Sequence, residues 1–386
     1  MALTARRPGA AFAPSPALPG AALAGLGVVA VAADQGGVFT NDWRAGAVAF
    51  AAAAALLALW EPRVRWSART LAVPALVAAY GLWSLASTAW SVEPSLSTLD
   101  VQRTLLYLAA AVAFALAGEG LTAGVLAGTT AIAVWALGGR LVNGVHYDYF
   151  EGKLLTGPIG YANGLGELMA IGAAVSFALA LERRRPVWAA PLAALLPALA
   201  LTNSRGAGAA LAVGAAVAVA LVHRRRDAAV AAVVLAGAAL SVLLAATPAA
   251  AGDRAAYWHV ARSVAAGHPL LGTGAGTFVA DYARTPPAHD AHSLYLQALA
   301  ELGVVGLLLV VALVGIPLGF ALRRGLAAPA AGLAVFALHA GMDWDWQLPA
   351  VTIAGLALAV AATADAVGKP QSDSVRRADS AVPTAR

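Results

Sequence analysis

The chain has 386 residues, 60% of them hydrophobic, with 25 lysines and arginines against 20 aspartates and glutamates. Its 12% of charged residues compares with roughly 25% in soluble domains, too little polar surface to cover a globule in water. A soluble enzyme and a disordered protein are therefore excluded. The absence of cysteine removes disulfides and thiol chemistry, and the net charge of +5 comes from scattered arginines.

A membrane-crossing helix needs about 20 mostly apolar residues. Apolar segments run in order at 17–33, 45–60, 70–90, 104–118, 121–138 and 162–181, then at 187–202, 206–222, 228–250, 293–321, 326–342 and 348–366. The prediction is an all-α polytopic membrane protein of about twelve transmembrane helices. The transmembrane domain fills 17–366, and a large extracytoplasmic loop, 251–292, carries short helices. The tails 1–16 and 367–386, rich in Pro, Ser, Ala and Arg, read as disordered and cytoplasmic. Segment 17–33 follows Arg6 and Arg7 and ends near Ala32-Ala33-Asp34, so it also carries features of a signal peptide. An even span count favours a retained span.

Positive charge orients the spans. With the N-terminus in the cytoplasm, the loops 61–69, 181–186, 223–227 and 322–325 lie inside, and with the tails they hold most of the basic residues. Inverting the topology puts most of that charge outside. Six of the seven histidines, at 146, 259, 268, 289, 292 and 339, then fall on the outer side, so chemistry is expected to face outward.

Arg44, Arg103, Arg205 and His292 each fall at the expected outer N-terminus of a span. Helix N-termini favour anions, although an arginine at a span end also snorkels to lipid phosphates. Arg205 stands in the tight turn Thr202-Asn203-Ser204-Arg205-Gly206, where a bidentate guanidinium suits a phosphate. Asn163 and Glu167 share a face of the sixth span. An ionisable residue inside a span is a functional candidate, while a helix-packing hydrogen bond explains Glu167 equally well.

In the large loop, 253–266 has the pattern of an amphipathic helix, with Tyr257, Val260, Ala261 and Val264 on one stripe and Arg254 and Arg262 beside it. The run His268-Pro269 to Gly276 has alternating glycines that suit either an anion-binding nest or a tight turn. His289-Asp290-Ala291-His292 closes the loop. His292 reads as a general base or as a hydrogen-bonded structural histidine. No third ligand is suitably spaced for a metal beside His289 and His292. His339 and Asp343, four apart, are placed to pair, and Trp344 and Trp346 read as an interfacial belt.

Taken together, these residues resemble the O-antigen ligase and polymerase superfamily of bacterial membrane proteins. The likeness covers roughly 80–350 in collinear order. It runs through Trp83-Ser84-Leu85-Ala86-Ser87, Trp90-Ser91, Arg103, Gly157-Pro158 to Asn163, Ser204-Arg205-Gly206 and Arg254 with Trp258. It continues through His268-Pro269 to Gly276, Ala291-His292-Ser293-Leu294-Tyr295-Leu296 and Glu301-Leu302-Gly303. Ser293 stands where the family usually has Asn. The resemblance implies a glycosyltransferase, a ligase or polymerase of envelope polysaccharide, working without metal or other cofactor at the outer face of the cytoplasmic membrane. Its donor would be an undecaprenyl-diphosphate-linked glycan and its acceptor a hydroxyl of a glycan, lipid or protein; nucleic acid is not a partner. Carried over by position, Arg205 and Arg254 bind the diphosphate with help from Arg103, and His292 serves the acceptor hydroxyl. His268, His289, Asn163, Glu167, His339 and Asp343 are supporting candidates. A flippase for lipid-linked sugars is the alternative, but it needs polar groups through the membrane depth and paired halves, whereas the polar residues here gather on one side.

Overall fold

The computed structural model describes residues 15, 17–60, 67–245, 254–281 and 290–364. They form helices throughout, and no strand occurs among them. In order these are α1 (Leu18–Ala32), α2 (Thr40–Trp60), α3 (Ala72–Ser87), α4 (Pro94–Ala117), α5 (Leu121–Asn143), α6 (Ala162–Arg183) and α7 (Leu192–Thr202). They continue with α8 (Arg205–Val222), α9 (Arg226–Ala245), α10 (Arg254–Gly267), α11 (Phe278–Asp281), α12 (Leu294–Arg324), α13 (Ala327–His339) and α14 (Pro349–Thr363). Every expected apolar segment coincides with a helix. Six of them (α2, α4, α5, α6, α8 and α12) are long and apolar enough to cross a membrane. Others, such as α1, α3, α13 and α14, are shorter apolar helices.

Two boundaries depart from expectation in ways that matter for the site. Helix α4 begins at Pro94, ten residues before its apolar stretch. Proline suits the first helical turn because its missing N–H would be unpaired there anyway. The polar turn that follows is stabilised by packing: Ser97 is buried, and its Oγ donates to the Ala275 carbonyl at 2.8 Å. Arg103 therefore sits well inside α4, not at its N-terminus. Helix α12 is interrupted at Gly303, whose φ of 65° and ψ of −165° lie outside the helical region.

Small residues set the closest helix contacts, as expected where lipid gives no hydrophobic drive and packing decides association. Gly124 and Gly128, four apart on α5, lie against the α1 backbone. A Cβ on Gly124 would fall 2.4 Å from the Ala21 carbonyl oxygen, and one on Gly128 2.8 Å from that of Gly25. Helix α6 is buried on almost every face, between α5, α7, α8 and α13.

Three stretches far apart in sequence knit one end of the bundle together. The indole of Trp83 donates to the Leu302 carbonyl and that of Trp90 to the Leu271 carbonyl. Ser87 Oγ accepts from the Ala275 amide. The break at Gly303 and the turn at Gly272 fit into each other: a Cβ at Gly303 would lie 2.2 Å from the Leu270 carbonyl oxygen, and one at Gly272 2.2 Å from that of Glu301. Both have positive φ. The expected outcome of Gly303→Ala is a loss of stability of at least about 1–3 kcal/mol from backbone strain alone. Gly319→Ala, where a Cβ meets nothing within 4 Å, should leave the thermal unfolding midpoint in detergent unchanged or raise it.

Candidate functional site

The N-termini of α4, α6, α8 and α12, the C-terminal ends of α3 and α13 and the 254–281 segment gather at this end. The segment between α13 and α14, Asp343-Trp344-Asp345-Trp346-Gln347, joins them. Its side chains reach neighbours on several helices. Asp343 is buried and accepts from the Tyr161 hydroxyl at 2.7 Å and from Arg254 at 2.8 Å. Trp344 rests on Tyr161, ring centroids 4.9 Å apart. Asp345 lies 2.7 Å from Nδ1 of His339. Trp346 is buried edge-on against Tyr80 and Tyr107, and its carbonyl accepts from the Tyr107 hydroxyl.

This arrangement corrects two expectations. His339 does not pair with Asp343; its Nδ1 meets Asp345 and, at 3.0 Å, Glu167 Oε2. The chain turns after His339, so four residues in sequence no longer means one helical face. Trp346 is not an interfacial residue, because its ring fills the gap between α3 and α4. Only Trp344, partly exposed, keeps an open edge. Glu167, His339 and Asp345 hold donor atoms within 4.8 Å of one another and form the one such group among the described residues whose chemistry suits a metal. Their short contacts are those of hydrogen bonds.

Arg254 leads α10 and keeps its charge. Burial works against the guanidinium, but Asp343 outweighs it and pushes the pKa up. Burial and the same carboxylate push the Tyr161 phenol well above its usual value, so it stays a donor. Asn163 donates to that hydroxyl at 3.0 Å. Arg205 occupies the first turn of α8, capped by Ser204, whose Oγ accepts from Ala207 N at 3.3 Å. Asn203 before it has φ 53°, the left-handed C-cap that lets α7 reverse into α8. The Arg205 side chain is exposed and makes no hydrogen bond or ion pair among the described residues. Next to it, Gly206 lies close enough to His339 that a Cβ would meet the imidazole at 3.3 Å.

His292 precedes the N-cap of α12. Ser293 supplies that cap, its Oγ accepting from Leu296 N, so at this position the hydroxyl does capping work. His292 itself has φ 49°, a conformation uncommon for a non-glycine residue and more frequent at functional sites. Its ring stacks on Tyr257 at 4.9 Å, and its carbonyl accepts from the Trp258 indole at 3.1 Å. Nδ1 lies 3.2 Å from the Asp290 carbonyl. A carbonyl only accepts, so that contact places the proton on Nδ1 and leaves the Nε2 lone pair available.

A cavity of about 560 Å³ opens beside it, with His292, Arg103, Asp100, Asp290, Tyr257 and Trp344 in its wall. Arg103 reaches this cavity from mid-helix, ion-paired to Asp100. Of the other arginines, Arg254 is tied to the Trp344 segment through Asp343, and Arg205 lies at the His339 side. His268 is exposed on the turn after α10. His289 lies outside the described residues. Arg44 donates to Gln102 Oε1 at 2.7 Å and is likewise outside the cavity wall.

The alternating glycines do form a nest, but the protein fills it. Gly276 N and Phe278 N donate to the two oxygens of Glu301 at 2.9 and 3.0 Å, and Gly274 N donates to the Glu301 carbonyl. Gln297 bridges Glu301 to Asp290, with contacts of 3.1 and 3.3 Å. An apolar crevice of about 470 Å³ lies between α8, α9, α12 and α13. Leu240 and Tyr295 in its wall touch Trp258, the residue that holds the His292 carbonyl.

Residues 190–311 match the family model described as O-antigen ligase. The match supports the O-antigen ligase and polymerase superfamily for this chain. No curated protein matches it. The O-antigen ligase match runs from α7 into α12, and so takes in Arg205, Arg254 and His292. Asp343, which holds Arg254, and Arg103 both lie beyond it. Sequence reasoning missed Asp100, Tyr161 and Asp345 as members of the site. Asp100 was readable as the residue one turn before Arg103, whereas Tyr161 and Asp345 carried no local signal.

Removing one partner from a buried charge cluster costs about 3–5 kcal/mol, because the remaining charges are left uncompensated. His339→Ala should therefore lower the unfolding midpoint in detergent sharply. Asn163→Ala removes one hydrogen bond worth about 0.5–1.5 kcal/mol and should lower it far less.

Proposed function

We propose that the protein is a glycosyltransferase that moves a glycan from an undecaprenyl-diphosphate carrier to an acceptor hydroxyl at the outer face of the cytoplasmic membrane. The observation that carries this reading is the His292 geometry: an imidazole with Nδ1 committed to a carbonyl, Nε2 free, in the wall of a cavity that also holds Arg103. The family match to O-antigen ligase over the same segment supports it.

In the proposed reaction His292 Nε2 takes the proton of the acceptor hydroxyl as its oxygen attacks the anomeric carbon. The bond from that carbon to the phosphate oxygen breaks, and the electron pair leaves with the lipid diphosphate. That leaving group is already a stable anion, so it needs charge more than a proton. Arg205, unpaired and exposed at a helix N-terminus, supplies charge where the backbone N–H groups add to it. Arg254 joins it from α10 while Asp343 fixes its direction. The step uses no metal. The apolar crevice beside Tyr295 suits the lipid tail, which would arrive laterally from the bilayer.

Twelve membrane crossings, with both termini in the cytoplasm, put this end of the bundle outside. The lack of cysteine makes that easy to check. A single cysteine in place of Tyr149 should react with a membrane-impermeant maleimide in intact cells, and one in place of Arg184 only after lysis. The reverse pattern would invert the topology.

For the chemistry, purified protein in lipid discs is given a lipid-linked glycan and an acceptor. His292→Ala should slow transfer by about 10²–10⁴-fold, the usual contribution of a positioned base. Arg205→Ala should weaken donor binding without changing the unfolding midpoint. Unchanged transfer in both variants would overturn the residue assignment.

A further inference from the structure

The cavity beside His292 has features that a diphosphate site would not need. Asp100 Oδ1 takes the Arg103 guanidinium, but Asp100 Oδ2 and Arg103 Nε are buried with no hydrogen-bond partner. An unmet carboxylate oxygen calls for a donor, and an unmet N–H calls for an acceptor. A hydroxyl is both at once, so two neighbouring hydroxyls on one ring satisfy the pair together. A lipid diphosphate has acceptor oxygens only and leaves the carboxylate unmet.

The charge of the wall points the same way. Among the described residues of the wall, Asp100 and Asp290 bring two carboxylates beside the guanidinium of Arg103. An anionic ligand entering here meets like charge at low dielectric, where repulsion is strong. The apolar part of the wall mixes aliphatic side chains such as Leu96, Leu99 and Val279 with Trp43, Tyr257 and Trp344, which offer flat faces. Gln297 and Gln347 add amides that both donate and accept. The volume, about 560 Å³, falls within the range of small-molecule sites.

We propose that this cavity is a subsite for an uncharged pyranose, the acceptor sugar. Asp100 and Arg103 hold two adjacent hydroxyls of that ring, and the wall rejects hexuronic acids. The word acceptor rests on the transferase reading above; the sugar chemistry of the cavity does not. Arg103 is then a sugar ligand and not a diphosphate ligand, since it shares the wall with the Asp100 carboxylate, which repels an anion. Arg205 and Arg254, outside the cavity wall, are left for the diphosphate.

The test uses the full chain in lipid discs and free oligosaccharides of neutral hexoses, N-acetylhexosamines or hexuronic acids as probes, read by saturation-transfer NMR. Inorganic pyrophosphate is titrated separately. Neutral and N-acetylated sugars should bind, and uronic acids about tenfold or more weaker, because their carboxylate meets the wall carboxylates at low dielectric. Asp100→Ala should weaken neutral-sugar binding by a similar factor. Asp100→Asn, which keeps the side-chain volume, should remove the discrimination against uronic acids. Pyrophosphate binding should survive both substitutions and fall in Arg205→Ala. Equal binding of neutral and acidic sugars, or sugar affinity indifferent to both Asp100 substitutions, would overturn the subsite. Sugar binding intact with transfer indifferent to His292→Ala would instead sink the transferase reading and leave the subsite standing. His292-dependent transfer with no sugar binding would do the opposite.

Discussion

A charge buried among membrane helices must be answered by a partner, and in this protein that requirement organises one whole end of the bundle. Asp343 and Asp345, two residues apart, are both almost fully buried. One is answered by Arg254 and Tyr161, the other by His339, which also faces Glu167. Those partners come from α6, α10, α13 and the turn before α6. Meeting the two carboxylates therefore fixes where four parts of the chain stand. The tryptophan after each carboxylate does the same by packing: Trp344 on Tyr161, Trp346 on Tyr80 and Tyr107.

The site inherits its precision from that hub. Arg254 is aimed by Asp343, and the same helix carries Tyr257 and Trp258, which hold His292 by ring stacking and by a hydrogen bond to its carbonyl. A shift in the hub would thus move both the guanidinium and the imidazole. Glu301 plays the corresponding role for the glycine loop. It occupies the backbone N–H groups that otherwise make an anion site, and so converts a binding motif into a structural clamp. The proposed anion role falls to Arg205, which has no partner among the described residues, together with Arg254.

Division of charge separates two environments at this end of the bundle. At the α8 N-terminus an unpaired guanidinium and free helix N–H groups favour anions. In the cavity wall, Arg103 is neutralised by Asp100, and Asp290 adds a second carboxylate. A reaction that moves a glycan off a lipid diphosphate onto a sugar hydroxyl would use both environments, one for the leaving group and one for the nucleophile.

Much of this was legible in the sequence. Hydrophobic run lengths located the apolar helices, six of them long enough to cross a membrane, since apolar length is a local property of the chain. Arg205, Arg254 and His292 stood out because a lone charge or imidazole beside long apolar runs is conspicuous. Partnership was not legible. That His339 turns to Glu167 and Asp345 and away from Asp343, that Trp346 is core, that α4 starts early enough to carry Asp100 and Arg103 into the cavity, and that Glu301 fills the glycine nest were decided by tertiary structure. Each depends on which groups, distant in the chain, must satisfy one another once water is excluded, and no local pattern encodes that pairing.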